Sequence, residues 1–172
     1  ELVDGYRVES SAVRSLLIDY LHERQAVLDY TSLAALASKL VLLFWRDLEL
    51  HCPGIDTLRL DDEVARGWKD RLRVVVHGKQ RVGQRREDPN AILIAVRAFY
   101  TDVNHWATED PARWGQWAAA NPVTGRDLIG QNKQKRRSRA RMQQRTRELA
   151  PLLTDLVVSA DRQRRHAADL LA

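Results

Sequence analysis

The chain has 172 residues, of which 44% are hydrophobic and 30% charged, and its formal net charge is +5 at pH 7. This length predicts one domain, or two small ones, with enough apolar side chain to bury a core. The longest unbroken apolar stretch, residues 40–45, is far shorter than the roughly 20 residues of a membrane span, which excludes a transmembrane protein. Cys52 is the only cysteine, and no targeting signal is visible. We therefore expect a cytoplasmic protein, and we expect this segment, which lacks an initiator Met, to be cut from a longer chain.

Charge is concentrated in two segments. Residues 66–86 hold 8 basic and 1 acidic side chains, and residues 126–147 hold 9 basic and 1 acidic. Residues 1–65, 87–125 and 148–172 have net charges of −6, −3 and −1. Of the 28 basic residues, 23 are arginine, whose planar fork suits bidentate contacts to phosphate and guanine. The modest net charge therefore hides two strongly basic segments.

Apolar residues at spacings of three, four and seven predict amphipathic helices in the first half of the chain. The first covers residues 11–28, with Ser10 or Ser11 as its cap. The second begins at its candidate cap Thr31 and runs to about residue 50, before the helix-stopping pair Pro53-Gly54. Both helices are expected to face a shared core.

Three further helices follow, separated by a loop. Acidic residues 61–63 favour a helix start, whereas the glycines and cations of residues 77–87 indicate a loop. Asp88-Pro89 opens the most strongly periodic helix, which we expect at the centre of the core. Asp110-Pro111 opens a short helix that is closed by Asn121-Pro122.

The C-terminal part of the sequence is different in character. Residues 131–148 favour a helix but have no core-facing stripe, so this helix needs an anionic partner. Beyond Pro151, Thr154 is a candidate cap for a separate, last amphipathic helix. No strand-like alternation of any length is present, so the predicted class is all-α. Residues 1–125 are expected to form a small helical bundle, and residues 126–172 a basic helical linker with a C-terminal helix.

The two basic segments are the candidate functional site. Cations packed this densely along a helix repel one another unless phosphates lie between them, and each neutralised phosphate releases counterions. A solvated basic face, a flexible basic tail or a localisation signal is the alternative interpretation. The residues expected to contact DNA are Arg66, Lys69, Arg71, Arg73, Lys79, Arg81, Arg85, Arg86, Lys133, Lys135, Arg136, Arg137, Arg139, Arg141 and Arg145.

The sequence contains no pattern typical of catalysis or metal binding. The five histidines are scattered, no histidine pair has metal-ligand spacing, and no glycine-rich phosphate loop follows a strand. We therefore predict no catalytic residue, metal, cofactor or small-molecule substrate for this segment. The five tryptophans could stack on unpaired bases, but their helical spacing favours packing in the core. They are Trp45, Trp68, Trp106, Trp114 and Trp117.

Several phrases, in this order, resemble the tyrosine recombinases, or phage integrases, of the actinobacterial type. The match extends over most of the chain and rests on loose motifs. In chain order these are Thr31 through Phe44-Trp45, Ile55-Asp56-Thr57-Leu58-Arg59-Leu60-Asp61, Arg97-Ala98-Phe99-Tyr100, Ala112-Arg113-Trp114-Gly115-Gln116-Trp117, Asn121-Pro122, and Arg141-Met142-Gln143-Gln144-Arg145-Thr146-Arg147.

The resemblance implies a SAM-like core-binding domain that forms one half of a clamp around duplex DNA, with self-association on that DNA. It also implies a bacterial protein that is associated with the nucleoid when bound. The family's catalytic half carries an Arg, Lys, His-x-x-Arg and Tyr set, but no His-x-x-Arg occurs in this sequence. Strand cleavage is therefore expected from a domain outside this segment or not at all. The alternative is a helical regulatory protein whose basic run binds acidic protein or RNA.

Overall fold

The structure is a computed structural model that describes residues 2–74, 83–84, 86, 89–129 and 131–169. These residues form helices joined by turns, with no strand among them, so the all-α prediction is confirmed. The chain divides into two compact units, residues 1–129 and 130–172. We had placed the domain boundary after residue 125.

Helix α1 (Ser11–Gln25) follows a short 3₁₀ turn at Asp4–Tyr6. Ser10 is its N-cap, because the backbone N–H of Val13 donates to the Ser10 hydroxyl at 3.3 Å. Its buried residues are Val13, Leu16, Leu17, Tyr20 and Leu21, and the helix ends at Gln25, three residues before the predicted end at residue 28.

The second predicted helix is continuous but not uniform. Helix α2 (Tyr30–Ala37) leads into a π-helical stretch (Ser38–Trp45) and then helix α3 (Arg46–His51). The prediction of Thr31 as cap is wrong. Asp29 is the N-cap instead, and its carboxylate accepts from the backbone N–H of Ser32 at 2.9 Å, because Asp29 has the extended backbone that aims a cap side chain at the first turn.

Helix α4 (Asp62–Arg71) packs its tryptophan on the π-helical stretch. Trp68 is fully buried, and its indole N–H donates to the carbonyl of Leu43 at 3.0 Å. This bond satisfies a carbonyl within an irregular part of the helix, where backbone groups otherwise lose partners. Residues 75–82, 85, 87 and 88, which include most of the predicted loop and the predicted cap Asp88, lie outside the described residues.

Helix α5 (Asn90–Glu109) is the longest regular α-helix described in the first unit, and seven of its side chains are buried. Helix α6 (Pro111–Trp114) begins as predicted, since Asp110 accepts from the backbone N–H of Arg113 at 3.2 Å and Pro111 takes the first turn. A 3₁₀ turn (Gly115–Trp117) and a second one (Gly125–Leu128) complete the unit.

Aromatic side chains from four helices form the centre of the core. Tyr20 meets Phe99 edge to face, with ring centroids 4.8 Å apart, and Phe44 meets Trp68 at 4.9 Å. Trp45, Trp68 and Trp114 are buried, and Trp106 and Trp117 pack against the core while partly exposed. The prediction that the tryptophans pack in the core is confirmed.

Helix α7 (Gln131–Asp169) makes up the described part of the second unit. We predicted a break at Pro151 and a new helix capped by Thr154, and this prediction is wrong, because both residues lie inside one helix. Proline has a φ that a helix accepts, and its cost, one missing donor and a clash with the carbonyl four residues earlier, is confined to one turn. The arginines, glutamines, leucines and alanines around it favour the helix strongly enough to continue through it.

Along the part of the chain that the structure describes, no helix combines the length and apolar character needed to cross a membrane.

Candidate nucleic-acid interface

The first part of helix α7, residues 131–147, is here called the basic segment. It holds eight cations and no acidic residue. Arg139, Arg141, Arg145 and Arg147 are exposed, and Lys133, Lys135, Arg136 and Arg137 lie on the same helix with side chains outside the described part. At about 1.5 Å per residue the segment is roughly 25 Å long. Along one strand of duplex DNA, about seven successive phosphates cover the same distance.

The position of the basic segment within the helix increases its need for an anion. The segment occupies the N-terminal end of a 39-residue helix. The positive pole of the helix dipole at that end acts on the first turn, which holds Lys133, and attracts negative charge there. The first acidic residue of the helix is Glu148, which accepts a hydrogen bond from Gln144 at 3.0 Å. Charge within the helix therefore does little to neutralise the basic segment.

The cations predicted to contact DNA within residues 66–86 differ in exposure and in bonding partners. Arg66 and Arg73 are exposed, and Arg73 makes a surface ion pair with Asp70 at 3.6 Å. Arg86 donates through Nε to the carbonyl of Leu72 at 3.0 Å. Lys79, Arg81 and Arg85 lie outside the described residues.

Lys69 is engaged inside the fold. Its ammonium lies 3.1 Å from both carboxylate oxygens of Asp127 and 3.1 Å from the carbonyl of Pro122. Partial burial disfavours the ionised form of Asp127, but hydrogen bonds from the Thr124 backbone N–H and from Lys69 outweigh burial and hold the pKa of Asp127 below its usual value. Lys69 thus joins helix α4 to the last 3₁₀ turn of the first unit.

Arg71 is engaged in the same way. Its Nε and Nη2 both donate to Oδ1 of Asp47, at 2.9 and 2.6 Å. Both side chains are partly buried, and the pair ties helix α4 to helix α3. Asp47 and Asp127 were not singled out in the sequence, because they lie 24 and 58 residues from their partners.

The formal charges of the two units differ in sign. Residues 1–129 contain 17 basic and 19 acidic side chains, a net charge of −2. Residues 130–172 contain 11 basic and 4 acidic side chains, a net charge of +7. With Lys69 and Arg71 paired in the first unit, the basic segment of helix α7 is the strongest candidate for contact with a polyanion.

The described residues contain no group of three or more His, Cys, Asp and Glu side chains that could hold a metal ion.

Two tyrosine hydroxyls donate hydrogen bonds inside the fold. Tyr20 donates to Asp102 at 2.8 Å and Tyr100 donates to the carbonyl of Leu58 at 2.8 Å. Burial raises the pKa of both phenols, and at Tyr20 the Asp102 carboxylate raises it further. Neither phenol is suited to act as a nucleophile.

No family model, curated protein or solved structure matches this chain.

Proposed function

We propose that this chain is the DNA-binding segment of a site-specific tyrosine recombinase and that it holds duplex DNA at the recombination site. The observation that carries the proposal is the basic segment of helix α7, in which eight cations and no acid occupy 17 consecutive residues. Cations at this density favour the phosphate backbone of duplex DNA over any neutral partner. Four arginines of the segment are exposed and accessible to that backbone: Arg139, Arg141, Arg145 and Arg147.

In this proposal the first unit is a SAM-like core-binding domain. Two exposed arginines in and just after helix α4, Arg66 and Arg73, supply a second set of contacts to the phosphate backbone of the DNA. The recombinase assignment rests on the order of the motifs from Thr31 to Arg147. Lys69 and Arg71 have a structural role here, because each is already bonded to a carboxylate.

The test is the affinity for random-sequence duplex DNA, measured by fluorescence anisotropy over a salt series. The logarithm of the association constant should fall with the logarithm of salt by about 0.9 for each phosphate neutralised. Replacing Arg139 and Arg141 with Gln should weaken binding and reduce that slope by about two. A flat salt response would contradict DNA binding.

A matched control removes two cations from elsewhere. Arg59 and Arg97 are exposed and belong to the acidic first unit. Arg59→Gln with Arg97→Gln should leave both the affinity and the salt slope unchanged. An equal loss in both double variants would show that only net charge matters, and would contradict an interface on helix α7.

Competitors separate the recombinase from the alternative of a regulatory protein that binds RNA or acidic protein. Single-stranded DNA, RNA and polyglutamate of equal charge should compete less well than duplex DNA. Selection from a random duplex library should also enrich one sequence. Preference for RNA, or no enrichment, would contradict the recombinase assignment.

A further inference from the structure

The exposed arginines of the basic segment are distributed around the whole circumference of helix α7. They are Arg139, Arg141, Arg145 and Arg147. At about 100° per residue, no gap between neighbouring members of this set exceeds about 120°. A flat polyanion, such as a lipid surface or one edge of a duplex, would contact only one half of the circumference. At least one of the four arginines would then face away from it.

The major groove of B-form DNA fits this distribution of charge. It is about 12 Å wide, and an α-helix with its side chains is about 10–12 Å across, so the groove admits the helix. Phosphates of the two strands then flank the helix on two sides, and base edges lie on a third side. The groove therefore offers acceptors to cations that point in different directions from one helix.

One line along the helix carries side chains that suit base edges. Arg139, Gln143 and Arg147 follow each other at intervals of four residues, so they lie within an arc of about 80° and along about 12 Å of the axis. All three are exposed, and within the described part of the chain no other side chain bonds to theirs. Arginine donates in a bidentate way to O6 and N7 of guanine, and glutamine pairs in the same way with N6 and N7 of adenine.

Glu148 distinguishes this line from the opposite side of the helix. Its position is about 20° from Arg141 and about 140° from Gln143 around the axis. A carboxylate beside Arg141 repels phosphates and the acceptors of guanine. The amide of Gln144 is already bonded to this carboxylate at 3.0 Å. The line through Gln143 is therefore the side that suits the base edges.

We infer that the basic segment lies in the major groove of duplex DNA, with Arg139 and Arg147 contacting guanines and Gln143 contacting an adenine between them. Arg141 and Arg145, on the other side of the helix, then contact phosphates at the rim of the groove. The inference rests on the proposed function and adds to it the residues that select the DNA sequence.

Two double variants of the whole chain, which lose the same charge from the same helix, test the assignment. Each is measured by fluorescence anisotropy on random duplex and on the duplex that the original chain selects from a random library. Arg139→Ala with Arg147→Ala should reduce the preference for the selected duplex by about tenfold or more, because two bidentate contacts are lost. Arg141→Ala with Arg145→Ala should weaken binding to both duplexes by the same factor. Equal losses of preference in the two variants would overturn the inference.

Gln143→Ala tests the adenine contact without any change in charge. This variant should no longer select the A·T pair between the two G·C pairs, and its salt slope should stay as in the original chain. The matched control is Gln144→Ala, since that amide is bonded to Glu148. The control should select the original sequence. Identical selection by Gln143→Ala and the original chain would overturn the adenine contact.

A modified base tests the groove itself. The base 7-deazaguanine lacks the N7 acceptor in the major groove but keeps its Watson–Crick pairing. Placed at the selected guanines, it should weaken binding of the original chain by about threefold or more and change little in the Arg139→Ala, Arg147→Ala variant. No loss with the original chain would overturn the inference. Duplex RNA of the same sequence should bind more weakly, because its major groove is deep and narrow, and equal affinity would also overturn it.

These outcomes separate the inference from the proposed function. A chain that binds no duplex DNA would contradict the proposed function and the inference together. A chain that binds and selects duplex DNA, with a preference that does not depend on Arg139, Gln143 or Arg147, would contradict the inference alone.

Discussion

Glu49 illustrates how much one buried carboxylate contributes to this fold. Its side chain is 2% exposed, and Oε1 accepts from the backbone N–H groups of Glu9 and Ser10 and from the indole of Trp45. Oε2 accepts from Arg46 at 2.8 Å. The carboxylate therefore anchors the start of helix α1 to helix α3 and leaves no oxygen unsatisfied.

Replacing Glu49 with Ala should lower the free energy of unfolding by about 3 kcal/mol, because four donors lose their acceptor, of which the Trp45 indole is buried and the other three are partly buried. Urea unfolding followed by circular dichroism measures the change. Asp56→Ala, which removes an exposed acid from the loop before helix α4, should change stability by no more than about 0.5 kcal/mol. Equal effects of the two substitutions would contradict the role given to Glu49.

Asp127 should make the free energy of unfolding depend on pH in the acidic range. Its pKa in the folded protein lies below the ordinary value of 3.8, so its contribution is fully present above that value and is lost as pH falls through the lower, folded pKa. Replacing Asp127 with Asn should therefore reduce the drop in unfolding free energy between about pH 6 and about pH 3. Lys69→Gln should act in the same direction. An unchanged acid dependence in both variants would contradict this pairing.

At the scale of elements, the helix from Tyr30 to His51 contains a π-helical stretch that the spacing of its apolar residues does not predict. Its apolar spacing predicts a helix, and a helix forms, but its middle is π-helical. The same stretch packs against helix α4 through the bond from Trp68 to the Leu43 carbonyl. A π stretch shifts the register by a fraction of a turn, which a repeat of three and four residues does not record.

Helix α7 offers a direct test at the same scale. Because Pro151 lacks an N–H and lies inside this helix, replacing it with Ala restores a donor for the carbonyl of Arg147. Proline costs about 3 kcal/mol relative to alanine in a helix interior. Pro151→Ala should therefore slow amide hydrogen exchange of residues 149–156 by tenfold or more, on the order expected from that difference. Unchanged or faster exchange would contradict a continuous helix.

At the scale of the whole molecule, the hydrophobic core and the basic segment lie in different units. The aromatic core lies within residues 1–129, whereas the basic segment belongs to residues 130–172. A shortened chain ending at Ile129 should unfold in one cooperative transition, since it keeps this core. Thermal unfolding followed by circular dichroism checks this expectation, and a broad, non-cooperative transition would contradict it.

The shortened chain should also lose duplex binding. Its formal charge is −2, and the cations that remain include Lys69 and Arg71, which are paired with acids. We expect its affinity for duplex DNA to fall by at least about tenfold, with a flatter salt dependence. Binding as tight as that of the whole chain would place the interface on the first unit instead.

The sequence by itself determined the helical class, the helix starts at Ser10 and Asp110, and the concentration of cations near the C-terminus. These features depend on neighbouring residues, through capping, apolar spacing and local charge. The tertiary structure decided which of the predicted cations are already neutralised. Arg71 and Lys69 meet acids 24 and 58 residues away, and Glu49 meets backbone donors 39 and 40 residues away. Such pairs form only when packing brings distant helices together, and no local pattern in the chain encodes that proximity.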